Sequence, residues 1–170
     1  GNPGATNVLR SGHKAAALFT LAGDAAKGWF AVWLVHRLGA DVTVAALAGL
    51  AAFLGHVYSL FLRFRGGKGV ATALGVLAGL QPALALAVAG IWLVVAFVTR
   101  YSSLAALTAA AGAPFLALLL DLPREVILVI AAMSAVLFWR HRRNIRQLLN
   151  GTEPKFGRGR PQRKPPADHP

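Results

Sequence analysis

The stretch FLRFRGGKGVAT, Phe61 to Thr72, sets two arginines, a lysine and three glycines at the mouth of an apolar segment. Successive glycines bare backbone N–H groups, and a helix starting just after them turns its partial positive end the same way. With the Lys68 cation added, Gly66, Gly67 and Gly69 have the makings of an anion site. A basic loop that only orients a membrane protein would account for Arg63 and Arg65, but it would not call for the glycines. Nucleotide loops fail on spacing. A Walker A loop needs Gly five residues before its Gly-Lys pair and Ser or Thr after the Lys, where this chain has Leu62 and Gly69. A dinucleotide fingerprint begun at Gly67 lacks its third Gly and follows no predicted strand.

Three more polar islands interrupt the apolar sequence. GNPGATNVLRSGHK offers Asn2, Thr6, Asn7 and Arg10, hydrogen-bonding groups and a cation suited to a second anion pocket, although Gly, Pro and Asn are also ordinary turn residues. RYSSL puts Arg100, Ser102 and Ser103 on one face where a helix begins, with helix capping as the default role for Ser103. WRHRRNIRQLLNGTEPK places His141 and Asn144 three apart, hence neighbours on one helix side. An interfacial histidine is the plain alternative for His141, and an ion pair the plain reading of Glu153.

What must position these islands is a set of membrane helices. The chain has 170 residues, 56% hydrophobic and 14% charged, with no cysteine and a formal net charge of +12. Its mean hydropathy is +0.55. By length this is one domain, and by composition a membrane protein. The missing cysteines exclude disulfides and a thiolate metal site; no metal and no cofactor is expected. The basic residues gather between apolar segments and in the tail, as in cytoplasmic loops. The chain opens on polar Gly1 without Met, which predicts no signal peptide and a missing beginning.

Five stretches approach the roughly 20 apolar residues a span needs: Ala15 to Val35, Val42 to Leu62, Ala83 to Val98, Leu104 to Leu120 and Val126 to Trp139. A sixth, Gly69 to Gln81, is short and closed by Pro82. It is either a separate helix or the first part of one long kinked helix to Val98. Charge decides. If it crosses separately, every basic interval falls on one face and the near-neutral intervals, residues 37–41 and 121–125, fall on the other. The expectation is an all-α, polytopic transmembrane helix bundle with six crossings and its polar motif loops on one face. Residues 1–156 form the transmembrane domain, and the Pro-, Gly- and Arg-rich residues 157–170 a disordered basic tail near anionic lipid headgroups.

GNPGATNVLR, GHVYSLFLRFRGGKGVAT, TRYSSLAAL and HRRNIRQLLNGTEPK, in this order and spacing, resemble the bacterial acyl-phosphate-dependent glycerol-3-phosphate acyltransferase family from Gly1 to Lys155. The resemblance implies an enzyme of the bacterial cytoplasmic (inner) membrane, multi-pass, with its motifs facing the cytoplasm. It implies acyl phosphate and glycerol 3-phosphate as substrates, and lysophosphatidic acid and phosphate as products. It also implies a membrane helix and a Ser ahead of Gly1, for seven spans in the complete family protein against six here. Lys68, Ser103, His141 and Asn144 are then the catalytic residues. Asn2, Thr6, Asn7, Arg10, Gly66, Gly67, Lys68 and Gly69 bind substrate, with phosphates on Arg10 and Lys68.

Other readings of the same residues compete with this one. An anion transporter or channel would also use Gly-broken helices, but it would place polar groups at mid-membrane and on both faces. Only Asp24 and Lys27 lie deep; three apart in the first span, they should pair with each other or, second, fix the polar pocket. A nucleic-acid binder would interleave aromatics in its tail, and none are there. His36 to Asp41 fits the His-x4-Asp pattern of another acyltransferase superfamily. It sits on the face away from the basic motifs and is read as chance.

Overall fold

In hydrocarbon a segment must satisfy its own backbone N–H and C=O groups, and a chain this apolar does so by coiling into helices. The computed structural model describes Val8, residues 12–64 and residues 66–155. Asn2, Thr6, Asn7 and Arg10, together with the tail expected to be disordered, lie outside the described residues. Among the described residues, seven α-helices follow from residue 12 on: α1 Lys14–Arg37, α2 Val42–Val57, α3 Val70–Leu80, α4 Pro82–Thr99, α5 Ser102–Leu119, α6 Arg124–Arg140 and α7 Arg142–Leu149. Helices α1, α4 and α5 are long and apolar enough to cross a membrane; α2 and α3 are shorter apolar helices.

Local chemistry sets the boundaries. Asp41 caps α2, its side chain accepting from the N–H groups of Thr43 at 2.8 Å and Val44 at 3.0 Å. Pro82 takes the first position of α4 and holds Gln81 extended, which ends α3. The expected span Val42 to Leu62 stops early, at Val57. Tyr58 leaves the helix, Leu60–Leu62 form a 3-10 turn, and Arg63 and Phe64 adopt left-handed φ values of 50° and 62°. The N–H of Phe64 then donates to the Ser59 carbonyl at 2.8 Å, so the chain doubles back towards the end of α2.

Helices α2 to α6 close a ring, α2 against α3, α3 against α4, and onward to α6 against α2, while α1 packs outside on α2 and α3. Lys68, just before α3, and Ser103, in the first turn of α5, meet through Asn144 and Glu153. The two ends of the segment between them therefore come together, and Gln81 marks a reversal rather than a kink in one long helix. α1 buries only a narrow stripe, Ala17, Asp24, Gly28 and Val32. Its crossing with α3 is a backbone contact: a Cβ on Gly28 would strike the Thr72 carbonyl, and one on Gly75 the Ala25 carbonyl. Close approach of this kind replaces the hydrophobic drive that helices lack inside lipid. Large apolar side chains such as Phe19, Leu86, Phe97 and Leu119 point outwards, as a lipid-facing surface requires.

Pro114 inside α5 cannot donate to the Ala110 carbonyl, four residues back. Ser134 of α6 supplies the missing donor, its hydroxyl reaching that carbonyl at 2.8 Å. Ser134→Ala should thus lower stability by about 1 kcal/mol in detergent unfolding, and by much less in a Pro114→Ala background, where the amide of residue 114 satisfies the carbonyl. An equal loss in both backgrounds would mean that Ser134 acts only by packing.

Candidate active site

All seven helices contribute to one cavity of about 410 Å³. Lys68, Ser102, Ser103, His141, Asn144 and Glu153 form its polar part, and Leu77, Val88, Trp92, Ala113 and Ile130 are among its apolar walls. A chamber with both characters suits an amphiphile, a polar head with a hydrocarbon chain.

One chain of hydrogen bonds joins the polar part. Lys68 Nζ donates to Asn144 Oδ1 at 2.6 Å. Asn144 Nδ2 donates to Glu153 Oε1 and Oε2 at 2.9 and 3.1 Å, and the Ser103 hydroxyl donates to Oε1 at 2.6 Å. A cation on one side and a carboxylate on the other leave only one orientation for the Asn144 amide. Ser103 is therefore not a helix cap, as its position suggested; α5 is preceded by Tyr101, and no side chain caps it. Nor is Glu153 in an ion pair: among the described residues its side-chain partners are the uncharged Ser103 and Asn144. Ser102 and Ser103 line the cavity, and exposed Arg100 does not.

The glycine loop is held from two sides. Gly66 lies so close to the last turn of α2 that a Cβ would collide with the carbonyls of His56 and Val57. Gly69 has φ +84° and sits against Phe53, where no other residue would fit without strain. Both glycines thus answer first to the chain's own packing. Arg140 Nη2 donates to the Gly66 carbonyl at 2.8 Å and the Gly67 carbonyl at 3.3 Å. The loop delivers the N-terminus of α3 to the cavity, with Lys68, Gly69 and Val70 in its wall, and α5 begins there too. Neither helix has a side-chain cap, so two partial positive ends and one ammonium share this part of the chamber.

Five residues of the structural site stand outside the sequence-derived catalytic and binding set, Ser102 among them. Glu153 and Arg140 are two of them; a lone acid within a basic motif was the available signal for the first. Asp24 and His56 line the cavity as well. Asp24 does pair with Lys27, at 2.8 Å, and its Oδ1 also lies 3.5 Å from His56 Nδ1. Neither His36 nor Asp41 lines the cavity, and Asp41 serves as the α2 cap.

His141 is 2% exposed at the joint between α6 and α7. Its Nδ1 lies 2.9 Å from the Leu137 carbonyl, which can only accept, so Nδ1 carries the proton and Nε2 a lone pair. Burial, reinforced by the nearby Lys68 charge, lowers its pKa to about 4. The unfolded chain takes up this proton near pH 6.5 while the folded one refuses it. Stability from this group is complete above about 6.5 and is lost as pH falls towards about 4. Ring NMR, assigned with His141→Gln, should show no His141 titration between about pH 5 and 8; a midpoint near the ordinary value would refute the buried neutral ring.

Comparison with known proteins identifies relatives of this chain. A family model described as glycerol-3-phosphate acyltransferase matches residues 1–151. The glycerol-3-phosphate acyltransferase of Aromatoleum aromaticum is 61% identical over 157 residues, covering 92% of this chain and 80% of that protein. That of Bordetella pertussis is 57% identical over 165 residues, covering 93% and 77%. The crystal structure of an integral membrane glycerol 3-phosphate acyltransferase in its glycerol 3-phosphate form matches with a TM-score of 0.87 at 40% identity, covering 92% of this chain and 79% of that one. The lysophosphatidic acid form matches with the same score and identity and covers 81% of its chain. A family match over nearly the whole membrane region, and a shared fold at this identity, show that the chain belongs to the glycerol-3-phosphate acyltransferase family of multi-pass membrane proteins.

Proposed function

We propose that this protein moves a fatty acyl group from acyl phosphate to the 1-hydroxyl of glycerol 3-phosphate, giving lysophosphatidic acid and inorganic phosphate, at the cytoplasmic side of a bacterial inner membrane. The observation that carries this reading is the convergence of Lys68, Ser103, His141 and Asn144, from three separate polar islands, on one cavity with apolar walls. The two solved relatives are named for glycerol 3-phosphate and lysophosphatidic acid, an acceptor and a product of this reaction.

Acyl phosphate is a mixed anhydride with a good leaving group. The hydroxyl oxygen attacks the acyl carbon, the carbon–oxygen bond to phosphate breaks, and phosphate leaves with the electron pair. Lys68, the α3 N-terminus and the Gly66-Gly67-Gly69 loop hold phosphate, with Arg10, Asn2, Thr6 and Asn7 as the second anion pocket. Ser103, Asn144 and His141 orient the acceptor. A ring with a pKa of about 4 is too weak a base to keep the hydroxyl proton at neutral pH. Its Nε2 accepts a hydrogen bond from the hydroxyl, and the proton passes to a substrate phosphate oxygen, whose own pKa is about 6. Alignment and charge stabilisation then do most of the catalysis, and positioning alone is worth about 7 to 11 kcal/mol. No cofactor takes part. The bilayer supplies the acyl chain's surroundings, with α1 to α6 making six crossings. The 11 residues of α3 rise only about 16 Å, so the glycine loop lies below the headgroups.

Purified protein with labelled glycerol 3-phosphate should use acyl phosphate and not acyl-CoA; transfer from acyl-CoA at a comparable rate would overturn the donor assignment. Lys68→Met should lower kcat/KM at least about tenfold, while Arg63→Gln leaves it nearly unchanged. Equal effects would reduce the loop to a determinant of orientation.

Topology is open to single-cysteine labelling, because the chain has no cysteine of its own. Residue 100 should label from the cytoplasmic side and residue 121 from the opposite one. Labelling of both from the same side would exclude six crossings.

A further inference from the structure

On the wall contributed by α1 and α2, Asp24 and His56 face the cavity, and the reaction as written leaves them unused. Both side chains are 12% exposed, and they approach through Asp24 Oδ1 and His56 Nδ1 at 3.5 Å. Lys27 reaches the same carboxylate oxygen at 2.8 Å from outside, its own side chain 61% exposed. One oxygen thus carries both partners. Among the described residues, Asp24 Oδ2 and His56 Nε2 have no hydrogen-bond partner, and neither atom is sealed inside the protein.

A carboxylate in this place is a puzzle of charge. Asp24 lies ten residues beyond the start of α1, about 15 Å along it, where an ionisable group is expensive. The chamber also receives phosphates, which a carboxylate repels. A tie between α1 and α2 would use the one oxygen that His56 and Lys27 already share, and would not require the second to stay open. What a free carboxylate oxygen beside an imidazole nitrogen binds well is a hydroxyl: the carboxylate accepts its proton, and the imidazole bonds to its oxygen or to a neighbouring hydroxyl. Lys27 offsets the local charge without covering the open oxygen.

We propose that Asp24 and His56 form a hydroxyl-recognition subsite that takes the non-reacting 2-hydroxyl of glycerol 3-phosphate, while the phosphate stays on the Lys68 side. This assignment rests on the acyl-transfer reading. It gives the acceptor's phosphate end Lys68 and the two helix N-termini, and its polyol end the open Asp24 oxygen and His56, so the acceptor enters in one orientation. An alcohol phosphate without the 2-hydroxyl leaves the Asp24 oxygen unpaired in the occupied site and should be rejected on that account.

The test compares glycerol 3-phosphate with 3-hydroxypropyl phosphate, which lacks only the 2-hydroxyl, using acyl phosphate as donor and the full chain in lipid nanodiscs. The unaltered protein should prefer glycerol 3-phosphate by at least about tenfold in kcat/KM. In Asp24→Asn and His56→Leu that ratio should fall towards one, mainly through loss of activity on glycerol 3-phosphate. A purely structural tie would lower both acceptors together and leave the ratio intact, which would overturn the proposal. So would an unaltered protein that does not discriminate, a result that needs no variant to fold. Absence of transfer to either acceptor would instead overturn the acyl-transfer reading, and the subsite with it.

Discussion

The polar part of the site depends on the buried carboxylate of Glu153. It belongs to an irregular segment after α7, held by the N–H groups of Thr152 and Glu153 donating to the Gln147 carbonyl. Its two oxygens collect the Ser103 hydroxyl from α5 and the Asn144 amide from α7, and through Asn144 the Lys68 ammonium from the loop before α3. Elements far apart in sequence are thus located relative to one another by a single ionised group. A carboxylate taken out of water demands hydrogen bonds, and here the demand is met by the groups that line the chamber. Removing either donor would leave the carboxylate short of a partner, so the network favours being whole.

The same economy governs the bundle. Lipid gives helices no hydrophobic reason to associate, so the contacts that hold them are close backbone approaches and hydrogen bonds to otherwise orphaned groups. Gly28 against Thr72 and Gly75 against Ala25 are the first kind; Ser134 to the carbonyl released by Pro114 is the second. Gly66 against His56 and Val57 carries the first kind into the site itself, where helix packing and loop placement become one constraint. The cavity survives among these contacts because α5 presents alanines, Ala106, Ala109, Ala110 and Ala113, towards it.

Much of this was legible in the residues. Pro82 after Gln81 marked the reversal between α3 and α4, and the alternation of basic and neutral intervals assigned the loops of Lys68, Ser103 and His141 to one end. The end of α2 was not legible: Leu60 and Leu62 continue its apolar pattern, and only the doubled-back turn, with Arg63 and Phe64 left-handed, shows why the helix stops at Val57. Composition made glycine next to Lys68 look like provision for a ligand. The nearest atoms are backbone carbonyls and Phe53, a requirement that depends on which helix end lies behind the loop. Asp24 stood out as a deep charge, but its meeting with His56 was hidden, since 32 residues separate them and the approach is a matter of how α1 crosses α2. Glu153 looked like one charge among many, because a sequence counts cations nearby but cannot show that the nearest donors are neutral.

Between Lys68 and Glu153 stands an amide. Asn144 turns its oxygen to the cation and its nitrogen to the anion, and so keeps apart two charges that would otherwise neutralise each other. On this side the ammonium is aimed by a neutral partner. Coulomb attraction follows net charge, so a lysine held by an amide attracts an incoming dianion more strongly than one locked against a carboxylate would. Asn144 thus acts as an electrical spacer, and an aspartate there, identical in shape, would keep the geometry and spoil the field.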